Sequence, residues 1–385
     1  MKIAIIAGEA SGDLLGAHLI RVLRQKYPHA QIEGIGGEAM ITAGFKSLFN
    51  IERLNVMGFI EPLKRLMDLW QLRRALIQHF TQHKPDLFIG IDAPDFNLGL
   101  EKKLKSRGIP VIHYVSQSVW AWRQYRVHKI AKAVNLMLTL LPFETKFYQH
   151  HQIPVRYVGH PLARNIPFNI DKITTRRSLG MEDNLTYIAL LPGSRAQEIR
   201  YLAEPFLLAA KQILAIKKDV RFLTSSISEA RFHEFYDYFQ QVAPDLPLHF
   251  FTQRTHDVMA AADVVVVASG TATLETMLYK KPMIIAYKMS RLTYFLAKKL
   301  VRIPLIGLPN LLAESEIVPE LIQDNLTPEA ITQHVLNYLE HPEKVENLQR
   351  KFMQMHQQLL NGSINKADEN LLEAVSVVLS GAMSS

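Results

Sequence analysis

Tyr187–Ile199 reads Y-I-A-L-L-P-G-S-R-A-Q-E-I. An apolar, β-prone run, Tyr187–Leu191, stops at Pro192-Gly193. Ser194 and Arg195 follow, and Ala196-Gln197-Glu198 then opens a helical pattern. A strand that turns through glycine into a helix makes an anion site, because the first helical N–H groups have no partner inside the helix. Ser194 suits the N-cap, and an arginine beside it can hold a phosphate with two hydrogen bonds. Pro-Gly-Ser alone also describes an ordinary strand–turn–helix joint. Arg195, and a second loop of the same kind at Ser269, favour a bound diphosphate.

The same rhythm runs outward in both directions. Downstream come a helix from Ala196 to about Lys217, a strand at Val220–Thr224, a helix at Glu229–Val242 and a strand at Leu248–Phe251. A short helix at Val258–Ala262 follows, and the buried strand Asp263–Ala268 ends in Ser269-Gly270-Thr271-Ala272-Thr273-Leu274-Glu275. Pro282–Ala286 is a further strand. Upstream, Ile3–Ala7 runs into Gly8-Glu9-Ala10-Ser11-Gly12-Asp13 and a helix to about Tyr27. This is not the G-x-G-x-x-G of a dinucleotide site. Strands follow at Gln31–Ile35, Asp86–Ile91, Pro110–Val115, Val134–Leu140 and Val155–Val158. Each half therefore reads as an open parallel α/β sheet with right-handed crossovers. The polar stretch Arg164–Asp183 is the linker. Two helices, Pro342–Leu360 and Ala367–Leu379, have no strand after them, so they pack back across the domain boundary or onto a partner chain. The expected division is 1–165, 166–342 and a helical tail, 343–385.

Composition narrows the class. The 385 residues, 48% hydrophobic and 21% charged, suit a globular chain of two domains. The absence of cysteine excludes disulfides, a thiolate nucleophile and cysteine-ligated zinc. No apolar run approaches a spanning helix, and Glu9 and Asp13 follow Ile3–Ala7 too closely for a signal peptide, so the expectation is a cytoplasmic protein. The formal charge of +8 draws the chain toward anionic partners. With no zinc finger, RNP-type motif or polybasic tail, nucleic acid is not among those expected.

Two regions carry chemistry. Ser269, Gly270, Thr271, Ala272 and Thr273 present small residues and free N–H groups at a helix start. Glu275, one turn in, can accept from both hydroxyls of a ribose. With Gly193, Ser194 and Arg195 they outline a nucleoside diphosphate pocket; a capped helix with a solvated glutamate is the plainer reading. At the end of another strand, Asp92-Ala93-Pro94-Asp95-Phe96-Asn97 sets two carboxylates where α/β sheets bind ligands. Asp92 or Asp95 could take a proton from an attacking alcohol. Arg195 and the two helix N-termini could stabilise a departing diphosphate without a metal.

The segment Val56–Ile77 has two apolar arcs at helical spacing. One contains Phe59, Ile60, Leu63, Leu66, Met67, Trp70 and Ile77; the other contains Leu69, Leu72 and Leu76, flanked by Arg65 and Arg73. Either both pack on the core, or Leu69, Leu72 and Leu76 meet a membrane surface. Arg291–Arg302, with Leu292, Phe295, Leu296, Lys298, Lys299 and Leu300, reads as a second, basic amphipathic helix.

Taken together, Ala7–Asp13, Gly90–Asn97, His113–Ser116 with Val119–Arg123, Leu191–Arg195, Ser269–Glu275 and Leu308-Pro309-Asn310-Leu311-Leu312 resemble the motifs of the lipid-A-disaccharide synthase family, over nearly the whole chain and in that family's order. The resemblance implies a GT-B fold: two Rossmann-like parallel-sheet domains facing a cleft, with C-terminal helices crossing back or exchanged between the subunits of a homodimer. It implies an inverting transfer from UDP-2,3-diacylglucosamine to 2,3-diacylglucosamine 1-phosphate. The products would be the β-1,6-linked disaccharide 1-phosphate of the lipid A pathway and UDP, formed without cofactor or metal at the inner face of the inner membrane. It makes Asp92 the base and gives Arg195, Glu275 and Asn310 to the nucleotide and the reaction. Glu9, Ser11, Gly12, Asp95 and Asn97 fall on the acceptor side. Two departures stand out: Gln117 where the family usually has proline, and Glu314-Ser315 where Gly-Arg is common. Competing readings are a UDP-sugar epimerase, which needs acid/base residues on both sugar faces, and a non-enzymatic binder of nucleotide-linked lipid, which would tolerate loss of Asp92.

Overall fold

The computed structural model describes residues 1–54, 62–116, 118–120, 124–291, 293–295, 305–360 and 364–381. It divides into two compact units, Met1–Pro161 with Leu359–Ser385, and Leu162–Gln358. The first unit is built on β1 (Lys2–Ala7), β2 (Gln31–Ile35), β3 (Lys46–Phe49), β4 (Leu87–Ile91), β5 (Val111–Tyr114), β6 (Leu136–Thr139) and β7 (Val155–Tyr157). These pair in parallel in the order β3-β2-β1-β4-β5-β6-β7. Sheets covered on both faces need apolar residues at successive positions rather than alternating ones. In β1, Ile3 and Ile5 face one core layer and Ala4 and Ile6 the other, all fully buried.

One layer is closed by helix Ala10–Lys26 and by the last helix, Ile364–Leu379. Leu371, Ala374, Val375 and Val378 of that helix, at helical spacing, enter the core of the first unit. His18 to Asp368 (3.0 Å), Arg156 to Glu373 (2.8 Å) and Lys26 to Ser376 (2.7 Å) fix its outer face. The strandless tail thus covers a sheet face that would otherwise be bare.

Helix Pro62–Gln82 lies on the opposite layer and corrects one expectation. Leu72 and Leu76 are buried in the core and Leu69 packs partly buried against it, so these three are not a membrane-facing arc. They point inward because they share a helical face with the fully buried Phe80. Arg73 is also turned inward: its Nη2 donates to the carbonyl of Asp95 at 2.9 Å and its guanidinium lies over the Phe96 ring. The exposed arc is Met67 and Trp70, 61% and 57% exposed, with Arg74 over the Trp70 ring at 5.6 Å. Val56–Glu61, including Phe59 and Ile60, the Gln117 departure, Ala121–Arg123 and most of the Arg291–Arg302 stretch fall outside the described residues. Phe295 is described there and is exposed.

The second unit holds β8 (Thr186–Leu191), β9 (Val220–Ser226), β10 (Leu248–Thr252), β11 (Val264–Ala268), β12 (Met283–Tyr287) and β13 (Glu320–Ile322). They are parallel in the order β10-β9-β8-β11-β12-β13. Each sheet reverses its strand order once, between β1 and β4 and between β8 and β11. Open α/β sheets bind ligands at such switch points, outside the carboxyl ends of the strands. Fold and topology are those of the GT-B class of α/β proteins.

Candidate functional site

At the carboxyl edge of the second sheet, the turns after β8, β9, β10 and β11 surround a cavity of about 640 Å³. That lies within the roughly 300–1,000 Å³ of small-molecule sites. Gly193, Ser194, Arg195, Ser269, Gly270, Thr271, Ala272 and Glu275 all line it. Helix Thr271–Leu278 begins on the cavity wall, with Gly270 as its N-cap and no side chain capping it. Its first N–H groups therefore remain for a ligand.

The other helix start is arranged differently from the sequence expectation. Helix Ala196–Ile216 has Arg195, not Ser194, at its N-cap. Glu198 folds back instead, and its Oε2 accepts from the N–H of Ser194 at 2.8 Å and of Arg195 at 3.1 Å. Its Oε1 accepts from Arg195 Nη1 at 2.8 Å. Gly193 permits this fold-back: its φ is +112° and a Cβ would stand 2.2 Å from Glu198 Oε2. Glu198 thus occupies the anion position of the turn and steadies Arg195, whose side chain is 80% exposed at the cavity.

Two expected nucleotide residues do not line the cavity. Thr273 is fully buried and its Oγ1 donates to the Gly270 carbonyl at 2.8 Å. Asn310 is fully buried as well. Its Nδ2 donates to Val318 O and Glu320 Oε1, both at 2.8 Å, and its Oδ1 accepts from Ile317 and Val318 N–H. That amide locks the 310–320 loop, leaving no atom for a nucleotide. Glu314 ends helix Leu308–Ala313 in the left-handed conformation, φ 52°, a position that favours glycine, and nothing in the structure explains the glutamate there.

Sequence reasoning missed the wall supplied by Gln253, Arg254, Thr255, His256 and Asp257. The clue was present, since this is a third turn from a strand into a helix at the same sheet edge. His256 Nε2 lies 3.5 Å from Glu275 Oε1. That carboxylate raises the His256 pKa, by hydrogen bond and charge, against partial burial.

In the first unit the turn after β4 carries Asp92 and Ala93 at φ +50° and +42°, two successive residues in the left-handed region. Such strain costs of order 1–3 kcal/mol per residue and clusters at functional sites. The turn is held by Asp92 N–H donating to Tyr114 O at 2.9 Å and by Asn97 Nδ2 donating to Asp92 O at 2.8 Å. Asn97 is fully buried, so it shapes the turn and does not face a ligand. Asp95 is exposed and accepts from Arg126 Nη2 at 2.8 Å. Among the described residues no side chain donates to the Asp92 carboxylate, so of the two Asp92 is the better placed to take a proton. Glu9 and Ser11 are exposed at the neighbouring turn after β1, and Gly12 packs on Ala7 and Ile91. Behind the turn after β5, Glu144 is buried and accepts from Leu141 N–H and Trp120 Nε1. Burial pushes its carboxyl up to about 7, against those hydrogen bonds.

A larger cavity, about 750 Å³, opens at the opposite edge of the second sheet. Its cations have structural partners: Arg176 and Lys172 share Asp263, and Lys281 donates to Ala262 O. It lies away from the strand ends that bind ligands. Among the described residues no group of three His, Asp or Glu side chains could hold a metal ion.

A family model described as lipid-A-disaccharide synthetase matches residues 3–375. The chain is 48% identical to lipid-A-disaccharide synthase of Cellvibrio japonicus, covering 96% of each chain. It is 47% identical to that of Saccharophagus degradans, covering 97% of this chain and 96% of the relative. Among solved structures, UDP-GlcNAc 2-epimerase from Neisseria meningitidis bound to UDP-GlcNAc superposes with a TM-score of 0.64 at 13% identity, covering 97% and 99% of the two chains. A UGT transferase from Siraitia grosvenorii in complex with UDP gives 0.60 at 12% identity, covering 98% and 99%. At such identities the structures speak to the fold; the sequence relatives speak to the family. The chain belongs to the lipid-A-disaccharide synthetase family.

Proposed function

We propose that this chain condenses UDP-2,3-diacylglucosamine with 2,3-diacylglucosamine 1-phosphate, with inversion, to give the β-1,6-linked lipid A disaccharide 1-phosphate and UDP. The family match across residues 3–375 carries the reading. The geometry supports a division of labour. In the second unit, Arg195 and the open N-terminus of helix Thr271–Leu278 receive the diphosphate, and Glu275, beside His256, receives the ribose. These donors stabilise the charge that builds on UDP as it leaves. In the first unit Asp92 takes the proton of the acceptor hydroxyl as that oxygen attacks the anomeric carbon. The displaced group is UDP, so charge balances without a cofactor in this scheme.

Acylated substrates hold the enzyme to a membrane surface, and Met67, Trp70 and Arg74 suit the inner face of the inner membrane: two exposed apolar side chains beside an arginine. Among the described residues no helix is long and apolar enough to cross a membrane. We further propose a homodimer in which helix Ile364–Leu379 of one subunit occupies the same sheet face of the other. The motivation is that this helix follows the last sheet with no strand of its own. Mass spectrometry and proton NMR of products from the UDP-linked donor, with and without the 1-phosphate acceptor, test the reaction. Disaccharide 1-phosphate formed one for one with UDP supports it; UDP-sugar isomerisation without acceptor would assign an epimerase instead.

A further inference from the structure

Behind the Asp92 turn, helix Pro94–Lys105 and β5 bury two ionisable side chains that the scheme above does not use. Glu101 and His113 are both 0% exposed, and His113 Nδ1 stands 2.6 Å from Glu101 Oε1. The strand makes room for them. Gly90 pairs with His113 across β4 and β5, and a Cβ on Gly90 would stand 2.1 Å from Glu101 Oε1. Burying such a pair is costly, and apolar replacements of similar volume are often as stable. Holding the fold together therefore does not account for it. The pair is also incompletely satisfied: His113 Nε2 and Glu101 Oε2 have no hydrogen-bond partner among the described residues.

The pair is tied to the Asp92 turn by backbone. Asp92 N–H donates to the carbonyl of Tyr114, the residue after His113. Asn97, one helical turn before Glu101, donates to the Asp92 carbonyl. It is also tied by charge. Burial alone would lower the His113 pKa, but the Glu101 carboxylate and, beyond it, Asp92 outweigh burial and raise it. Burial likewise raises the Glu101 carboxyl, opposed by His113. Glu101 from the helix and Asp92 from the turn are the charges that act on the imidazole. Asp95, on the outer side of that helix, is engaged by Arg126.

We propose that Glu101 and His113 are positioning residues for Asp92: Glu101 orients the imidazole beneath the turn, and a proton held on that imidazole supports the Asp92 carboxylate as it accepts from the acceptor hydroxyl. The catalytic part of this rests on the reading of Asp92 as the base, whereas the coupling of His113 to Asp92 does not.

Nitrogen chemical shifts of histidine in isotope-labelled protein test the coupling. The His113 signal, assigned by its loss in His113→Gln, should titrate at lower pH in Asp92→Asn than in wild type. An unmoved titration overturns the proposal. This arm substitutes only a residue at the turn, so it is readable even where a buried variant fails to fold. Kinetics test the consequence. Glu101→Gln removes a negative charge and His113→Gln removes a positive one, yet both should act in the same direction. Each should lower kcat about tenfold on its acid limb and leave the plateau above it nearly unchanged, with KM for the donor also nearly unchanged. A merely structural pair would change thermal stability and leave the acid limb in place. Opposite movements of the limb in the two variants would overturn the relay. Coupled titration with an unmoved limb would uphold the coupling and remove Asp92 from the role of base.

Discussion

Membrane docking can be separated from folding on a single helix. In Pro62–Gln82, Met67 and Trp70 face outward while Leu72 and Leu76 are at most 2% exposed. A tryptophan offers up to about 250 Å² of contact surface. With 57% of Trp70 exposed, burial at ~25 cal/mol per Å² is worth roughly 3.5 kcal/mol. Met67 adds about 1–2 kcal/mol on the same scale. Insertion to half that depth gives about 2.5 kcal/mol, a loss of roughly sixtyfold in vesicle partitioning when both become serine. Stability should change by less than about 0.5 kcal/mol, as for ordinary surface substitutions. Leu72→Ser with Leu76→Ser should cost at least about 2–5 kcal/mol each, comparable to the whole stability of a domain. Sedimentation with anionic vesicles reads the first effect and denaturant unfolding the second. High salt should release wild type only in part, because screening removes the charge contribution of Arg74 and leaves the apolar one. A folded Leu72/Leu76 variant that loses vesicle binding, or a Met67/Trp70 variant that keeps it, would refute the assignment of faces.

Three further outcomes follow from the same geometry. Arg195→Ala should cost a few kcal/mol in kcat/KM, about 3, while Glu275→Ala mainly weakens UDP binding; unchanged UDP affinity in both by calorimetry would remove the nucleotide from this cavity. Glu144 pays no penalty below pH 4.5, where it is protonated folded or unfolded; stability then falls as pH rises toward about 7, by roughly 3 kcal/mol in full. Glu144→Gln should therefore raise denaturant resistance at pH 8 and leave it unchanged near pH 4.5, and equal behaviour at both pH values would contradict the burial argument. Deleting Ile364–Ser385 uncovers the sheet face under Leu371, Ala374, Val375 and Val378, and should abolish dimers in analytical ultracentrifugation; a well-folded dimer of the truncated chain would make the tail peripheral.

Most of the architecture was legible because both sheets are covered on both faces. Their central strands are continuous apolar runs such as Ile3–Ala7 and Val264–Ala268, and each ends in a glycine or small-residue turn. The strands that escaped notice, Lys46–Phe49 and Glu320–Ile322, lie at sheet edges. They are short and partly polar, so neither pattern nor length marks them. Turn residues were legible for the same reason that they line the cavity: backbone N–H groups need small neighbours. What sequence could not show was the direction of a side chain within a motif. Asn310 and Thr273 sit in the right turns but spend their polar atoms on nearby backbone. Glu198 was read only as a helix residue, although its carboxylate closes the turn after β8. Leu69, Leu72 and Leu76 shared their helix with a second apolar arc, and packing beside the buried Phe80 is what assigns them to the core.

The scheme turns on a base in one unit and a nucleotide site in the other, and Asp92→Asn addresses both together. Turnover of the UDP-linked donor with its acceptor should fall by roughly two to four orders of magnitude. UDP affinity by calorimetry should stay at the wild-type value, because the cavity that would hold it is lined entirely by residues of the second unit. Near-normal turnover in Asp92→Asn, or a loss of UDP binding that matches the loss of rate, would contradict the account.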